Sequence, residues 1–226
     1  SFNLKPDTKE WDFLTKQFEE AYAMKDHLTH VSPRVQNRNL PYTPVAPSDT
    51  MQNEPDTDFD LSQNQEWVRR IFAKWKKSGT EEPEIIPLQI GAETVVCKNR
   101  YKYLDRCQND EVCICEMSQA DSAQVEKIIE IAETDPAGWR KTTLEERHRI
   151  MYEAANRLAD MRGDLIGCMC AVTGKTVIEG DVEVSEAVDY ARFYTTAMKK
   201  FAALDDIEIK PKGTILVISP WNFPCA

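Results

Sequence analysis

A chain of 226 residues is long enough for one large domain or two small ones, and its 42% hydrophobic and 29% charged residues are typical of a soluble globular protein. The net charge of −10 argues against binding to nucleic acid or to an anionic membrane surface. No stretch approaches the ~18 consecutive apolar residues of a membrane span, and the first residues lack the basic and apolar regions of a secretory signal.

The cysteines do not have the pattern of a metal site or of a disulfide framework. Their number, seven, is odd, none of them forms a C-x-x-C motif, and the three histidines are scattered. We therefore expect no bound metal, reduced thiols that behave as small apolar residues, and a reducing, cytoplasmic location. The cysteines are Cys97, Cys107, Cys113, Cys115, Cys168, Cys170 and Cys225.

The amino-terminal part is predicted to be a helix followed by a linker. The helix covers residues 7–26 and is capped by Asp7 or Thr8. Residues 29–60 contain five prolines, which interrupt both helices and sheets. Because so long an irregular segment is typical of a connection between domains, we assign residues 1–60 to a helix and a proline-rich inter-domain linker.

The end of this linker leads into a second helix. Residues 53–59 (NEPDTDF) predict an extended, acidic piece of chain. Asp58 or Asp60 then caps a helix over residues 62–76, which carries apolar residues four apart and ends at Ser78-Gly79.

A small β element is predicted next. Residues 84–90 and 93–97 form a hairpin, and Gly91-Ala92 suits a two-residue type II′ turn. Pro87 lacks an amide donor and places its strand at a sheet edge. Residues 111–116 (EVCICE) alternate charged or sulfur-containing residues with apolar ones, which predicts a third short strand.

Four helices follow, predicted over 119–132, 143–162, 164–172 and 178–203. Thr143 and Glu146 have the spacing of a capping box. Thr173-Gly174-Lys175 lacks the preceding glycines of a phosphate-binding loop and is better explained as a helix end. We assign residues 61–210 to a helical layer plus the hairpin.

The longest of these helices has two distinct faces. An apolar stripe that includes Val184, Val188 and Ala191 is predicted to be buried. The opposite face carries Glu179, Glu183, Glu186 and Lys199 and is predicted to be solvated.

The chain is predicted to end in the first strand and loop of another domain, residues 211–226. A short strand over 207–210 precedes a buried strand over 214–218, and Ser219-Pro220-Trp221-Asn222-Phe223-Pro224 follows. Open α/β sheets bind their ligands in loops of this kind. On spacing alone, Asn222 is either a turn residue or a neutral donor to an oxyanion. Cys225 has no neighbouring base and is predicted to be an inert thiol.

Several of these stretches resemble the aldehyde dehydrogenase family. Residues 210–224 (KPKGTILVISPWNFP) are similar to the segment that enters that family's nucleotide-binding domain. Trp139 followed by Glu146-Arg147 resembles another family motif. Thr173-Gly174-Lys175 resembles a third, although Val172 stands where the family has Glu.

Upstream residues resemble one branch of that family, the bifunctional bacterial proline utilization A enzymes. The similar stretches are 53–59, 86–93 (IPLQIGAE) and 183–189 (EVSEAVD). They match the region that joins the proline dehydrogenase barrel of those enzymes to the glutamate-semialdehyde (pyrroline-5-carboxylate) dehydrogenase module.

The resemblance implies a fold, an activity and a site. The fold is α/β: the helix-rich N-terminal part of an aldehyde dehydrogenase fold, with a small antiparallel β-hairpin and the first strand of a Rossmann-like parallel sheet. The activity is oxidation of L-glutamate γ-semialdehyde to glutamate with NAD. Asn222 would donate to the oxyanion, and the backbone around Ile218, Ser219, Pro220 and Trp221 would line the cofactor site. FAD would belong only to a proline dehydrogenase part outside these residues.

The resemblance also implies what this sequence does not contain. The family's nucleophilic cysteine and general-base glutamate segments have no counterpart here, so we expect a fragment without activity of its own. The expected partners are an aldehyde substrate and the rest of the same polypeptide, and we expect the parent protein to form a homo-oligomer. Two alternatives are a non-catalytic interaction or oligomerisation module and an aldehyde dehydrogenase of another substrate class. A defined oligomer in sedimentation would favour the module.

Overall fold

The computed structural model describes residues 5–29, 31–76, 82–106, 108 and 112–226. The chain divides into two compact units, Ser1–Val35 and Gln36–Ala226. The helices are α1 (Lys9–Ala23), α2 (Ser62–Trp75), α3 (Ser122–Thr134), α4 (Leu144–Asp160), α5 (Arg162–Thr173) and α6 (Val177–Ala202). The strands are β1 (Glu84–Ile86), β2 (Leu88–Ile90), β3 (Glu93–Val95), β4 (Arg100–Leu104) and β5 (Cys113–Ser118). The described part is therefore mixed α/β and helix-rich, as predicted, and none of its helices is long and apolar enough to cross a membrane.

The helix starts follow the capping signals in four of the six cases. Thr8 caps α1 by accepting a hydrogen bond from the Trp11 amide. Asp121, Thr143 and Thr176 begin α3, α4 and α6, each with a complete capping box. The predicted cap of α2 is wrong, because Leu61 occupies that position and makes no side-chain cap. Asp58 instead accepts the amide of Asp60 in the turn before the helix. The predicted end of α2 at Ser78-Gly79 lies outside the described residues.

The predicted hairpin is present but shorter than expected. β2 and β3 pair antiparallel, with Ile90 opposite Glu93 across the Gly91-Ala92 turn. Pro87 interrupts the expected first strand, because it has no amide hydrogen for a ladder. The residues before it, β1, pair in parallel with β5 in a separate sheet of order β1-β5-β4. β1 is an edge strand of this sheet, and β5 confirms the third predicted strand in shifted form. β4 is a strand that was not predicted, although residues 100–104 (RYKYL) alternate basic residues with tyrosines and end in leucine.

The core lies between α4, α5 and α6. It contains small and branched residues, which allow the helices to approach closely: Ala155, Ala159, Ile166, Met169, Cys170, Val184, Val188 and Ala191. This confirms the predicted apolar stripe of α6 from Val184 to Ala191, whereas Met198 further along it is exposed. α2 packs against α5 at Gly167, where an added Cβ would overlap the indole ring of Trp75.

The two strands predicted near the end of the chain are wrong for this chain. Residues 207–210 and 214–218 adopt no regular structure, and Val217 is 79% exposed. A buried parallel strand needs hydrogen-bonding neighbours on both sides. The two sheets of the described part, β1-β5-β4 and β2-β3, do not include residues 214–218. The apolar run Thr214–Ile218 therefore lies on the surface.

A buried network of charges joins the irregular segment before α2 to α5 and α6. Asp181, which is fully buried, accepts the Thr57 amide at 2.6 Å and Arg162 Nη1 at 2.8 Å. Arg162 Nη2 also lies 3.4 Å from Glu54 Oε1, and Glu54 Oε2 lies 3.1 Å from Arg192 Nη1. Each buried charge thus has an opposite partner, which a low-dielectric interior requires.

Further polar contacts extend this network along residues 36–58. The carboxylate of Asp189 accepts the Asn53 side-chain amide at 2.6 Å and the Glu54 backbone amide at 2.7 Å. Arg38 Nε donates to the Thr57 hydroxyl at 3.0 Å. Burial, together with the charge of Arg162, lowers the pKa of Arg38. The predicted linker is therefore irregular, as expected, but from Gln36 onward it packs with the helices. Its role as a connection between domains stays a prediction.

We predict that Arg162→Met destabilises the fold by about 3–5 kcal/mol, because the substitution leaves the buried Asp181 without its ion-pair partner and removes one of the cations beside Glu54. Urea unfolding followed by circular dichroism measures the change. The matched control is Arg157→Met on α4, whose ion pair with Glu153 is exposed and should contribute about 1 kcal/mol or less. Equal costs for the two variants would contradict the assigned role of the network.

Candidate functional site

The loop that carries the predicted site residues is a turn on the surface of the larger unit. The Phe223 amide donates to the Pro220 carbonyl at 3.1 Å, which closes the turn around Trp221 and Asn222. The two prolines of the loop restrict its backbone further, since each has a fixed φ. Ile218, Ser219, Pro220, Trp221 and Asn222 are all exposed. The loop therefore presents its amide and its indole outward from a constrained backbone.

A buried carboxylate holds the residues that follow this turn. Glu183 on α6 is 1% exposed, and its Oε1 accepts the Cys225 amide at 2.7 Å and the Ala226 amide at 3.2 Å. Its Oε2 pairs with the ammonium group of Lys175. The prediction that Glu183 lies on a solvated face is wrong, because the end of the chain and Lys175 cover that part of α6.

Lys175 contacts the loop a second time. Its Nζ lies 4.8 Å from the centroid of the Phe223 ring, within the range of a cation–π contact. Lys175 therefore bridges the buried carboxylate of α6 and the aromatic residue next to Asn222.

The short connection between α5 and α6 positions Lys175. Gly174 ends α5 in the left-handed conformation, with φ of 74°, and its amide donates to the Cys170 carbonyl. This confirms that Thr173-Gly174-Lys175 is a helix end. Thr176 then caps α6, so that Lys175 is the only residue between the two caps and lies two turns before Glu183.

The cysteine in this loop is held in its neutral form. Cys225 is half-buried against the core, and this burial, followed by the charge of Glu183, raises the pKa of its thiol. Burial, followed by the charge of Glu84, also raises the pKa of Cys168. A thiol with a raised pKa is a poor nucleophile at neutral pH. Cys97, Cys113, Cys168 and Cys225 are free thiols. In the described ranges no group of His, Cys, Asp and Glu could hold a metal ion.

The Trp139 and Glu146-Arg147 motif has a structural role. Arg147 donates to the Thr142 hydroxyl at 2.9 Å and to the Trp139 carbonyl at 3.0 Å, and its guanidinium lies 5.2 Å from the Trp139 ring. Glu146 completes the capping box of α4. These residues shape the turn before α4.

The exposed loop could form one wall of a nucleotide site. Ile218 and Trp221 offer apolar surface, and the backbone around them has no regular hydrogen-bonding partner strand in the described part of the chain. The described residues do not enclose this surface.

The fold and the sequence identify the class of protein. The sequence pattern of the aldehyde dehydrogenase family matches residues 97–226, which is more than half of the chain. The chain belongs to the aldehyde dehydrogenase family.

Its relatives include 1-pyrroline-5-carboxylate dehydrogenases. The enzyme of that name from Geobacillus is 30% identical over 185 residues, which are 77% of this chain and 35% of the relative. The one from Bacillus pumilus is 27% identical over 182 residues, with 76% and 34% covered. The chain thus spans about a third of the length of the curated relatives it matches.

Solved structures share the fold. A 1-pyrroline-5-carboxylate dehydrogenase from Thermus, solved with bound NAD, superposes with a TM-score of 0.67 at 24% identity, covering 78% of this chain and 36% of that one. Proline utilization A from Bdellovibrio bacteriovorus superposes with a TM-score of 0.63 at 21% identity, covering 78% and 17%. At these identities the similarity establishes the fold alone.

We predict that Cys225 and Cys168 react with iodoacetamide severalfold more slowly at pH 8 in the folded chain than in the same chain unfolded in urea. A raised pKa leaves less thiolate at that pH, and thiolate is the reacting form. Peptide mass spectrometry at successive times gives both rates. Equal rates in the folded and unfolded chains would contradict the protected environment of these thiols.

Proposed function

We propose that this protein takes part in the NAD-dependent oxidation of L-glutamate γ-semialdehyde, the open-chain form of 1-pyrroline-5-carboxylate, to glutamate. The observation that carries the proposal is the constrained surface turn with Asn222 at its exposed corner, in a chain of the aldehyde dehydrogenase family. The 1-pyrroline-5-carboxylate dehydrogenases among its relatives support the choice of substrate.

Asn222 would act as a neutral hydrogen-bond donor. When a thiolate attacks an aldehyde carbon, the negative charge moves to the carbonyl oxygen. A donor that is already in position stabilises this charge without rearrangement during the reaction. The side-chain amide of Asn222 is a neutral group. The residue lies in a turn that is closed by the hydrogen bond from the Phe223 amide to the Pro220 carbonyl.

The residues before Asn222 would contribute to the cofactor site. The backbone of Ile218, Ser219, Pro220 and Trp221 would line one wall for NAD, which supplies the hydride acceptor of the reaction when it is bound. The nucleophilic cysteine and the general-base glutamate would come from residues outside the present sequence. We therefore propose that these 226 residues alone do not oxidise the aldehyde.

Two wider features belong to the same proposal. The similarity of residues 53–59 and 86–93 to proline utilization A supports a bifunctional parent, in which FAD serves a separate proline dehydrogenase part. The free thiols of Cys97, Cys113, Cys168 and Cys225 support a reducing, cytoplasmic location. We also propose that the parent forms a homo-oligomer.

The first test is an assay of the protein produced from its own gene. We expect NADH formation with L-glutamate γ-semialdehyde, at a higher kcat/KM than with acetaldehyde, and we expect Asn222→Ala to lower kcat by roughly 10²–10³-fold because one oxyanion donor is lost. Asn99→Ala, an exposed amide near the hairpin, is the control and should leave kcat unchanged. A preference for acetaldehyde would overturn the substrate, and an unchanged kcat in Asn222→Ala would overturn the role of that residue.

The second test uses the 226-residue chain alone. We expect no NADH formation above background with the same aldehyde and NAD. Measurable turnover would show that the chain contains its own nucleophile and base.

A further inference from the structure

We infer that Glu183 and Lys175 are positioning residues for the turn that carries Asn222. This inference rests on the proposed function for its catalytic meaning, but its structural content stands on contacts within the chain. Neither residue touches the side chain proposed to donate to the substrate, so neither is a catalytic residue.

The buried carboxylate of Glu183 holds the backbone after the turn. A carboxylate that is removed from water needs hydrogen bonds and an opposite charge. Glu183 obtains the charge from Lys175 and two hydrogen bonds from the consecutive amides of Cys225 and Ala226. Because both amides converge on one oxygen atom, the backbone direction at that point of the chain is determined.

Phe223, the residue after Asn222, makes a second contact with the same ion pair. Its ring lies over the ammonium group of Lys175. The Phe223 amide also closes the turn on Pro220. Two contacts therefore hold the chain just after Asn222: the Phe223 ring on Lys175, and the amides of Cys225 and Ala226 on Glu183. The ion pair of Lys175 with Glu183 joins these two contacts.

The residues before the turn and the residues after it differ in their contacts with the rest of the chain. The residues just before the turn are strongly exposed, with Leu216 and Ile218 at 83% and 80%. The side chains of Lys175 and Glu183 hold the carboxyl end of the segment, where Cys225 also packs against the core, whereas residues 214–218 belong to neither sheet of the described part. The position of Asn222 is thus set from the carboxyl side of the turn.

The test uses hydrogen exchange and fluorine NMR on the 226-residue chain. In Glu183→Gln, we expect the amides of Cys225 and Ala226 to exchange about tenfold to a hundredfold faster, as expected for loss of hydrogen bonds to a charged acceptor. With 5-fluorotryptophan, the resonance of Trp221 should shift. The resonances of Trp67 and Trp75, which lie on α2, should not move. Glu186→Gln, one turn further along α6, is the matched control and should leave both readouts unchanged.

Lys175 provides the second pair of variants. Lys175→Met removes the charge from both contacts and should shift the Trp221 resonance as Glu183→Gln does, whereas Lys175→Arg keeps the charge and should restore the parent spectrum. If Glu183→Gln does not fold, the Trp221 resonances of the two Lys175 variants test the positioning role by themselves. Unchanged exchange at 225 and 226 in a folded variant, or resonances of Trp67 and Trp75 that move together with that of Trp221, would overturn the inference.

These readouts require neither NAD nor an aldehyde. Failure of the proposed function would appear as a parent protein that does not oxidise the aldehyde while the loop still responds to Glu183→Gln. Failure of the positioning role would appear as an unresponsive loop in a protein that does oxidise it.

Discussion

The ion network centred on Asp181 and Arg162 is the interaction on which the rest of this structure depends. It connects residues 54–57, which have no regular structure, to the start of α5 and to the second turn of α6. Removal of Arg162 would leave Asp181 buried without its ion-pair partner, which costs more than the pair gains. The network therefore specifies one arrangement of the segment and the two helices.

The candidate site uses the opposite side of the same helical turn. Asp181 and Glu183 are two residues apart, so they point about 200° away from each other around α6. Asp181 faces the segment with Thr57, and Glu183 faces Lys175 and the end of the loop. One turn of one helix thus holds an amino-terminal segment on one side and the loop with Asn222 on the other. Asn222, which carries the proposed chemistry, is exposed, whereas Glu183, which holds the end of the loop, is buried.

Local signals predicted much of the secondary structure. The capping box of Thr143 and Glu146 located the start of α4, Gly174 located the end of α5, and the apolar stripe of α6 identified the face that is buried. The failures have one physical cause. Residues 214–218 have the composition of a buried strand, but composition cannot supply neighbouring strands. Glu183 and Asp181 look like ordinary charged positions of an amphipathic helix, since their partners lie eight or more residues away in the chain.

The sequence by itself determined the elements whose causes are local, namely the caps, the turns and the helix faces, and its motifs pointed to the aldehyde dehydrogenase family. Pro220 and Pro224, which restrict the backbone around the turn at 220–223, are also local features. Only the tertiary structure decided which charges are buried, that residues 36–58 pack with the helices, and that Glu183 and Lys175 hold the loop. Those outcomes depend on groups distant in sequence that share one desolvated space, and a charge is stable there only where an opposite charge or a hydrogen-bond donor meets it.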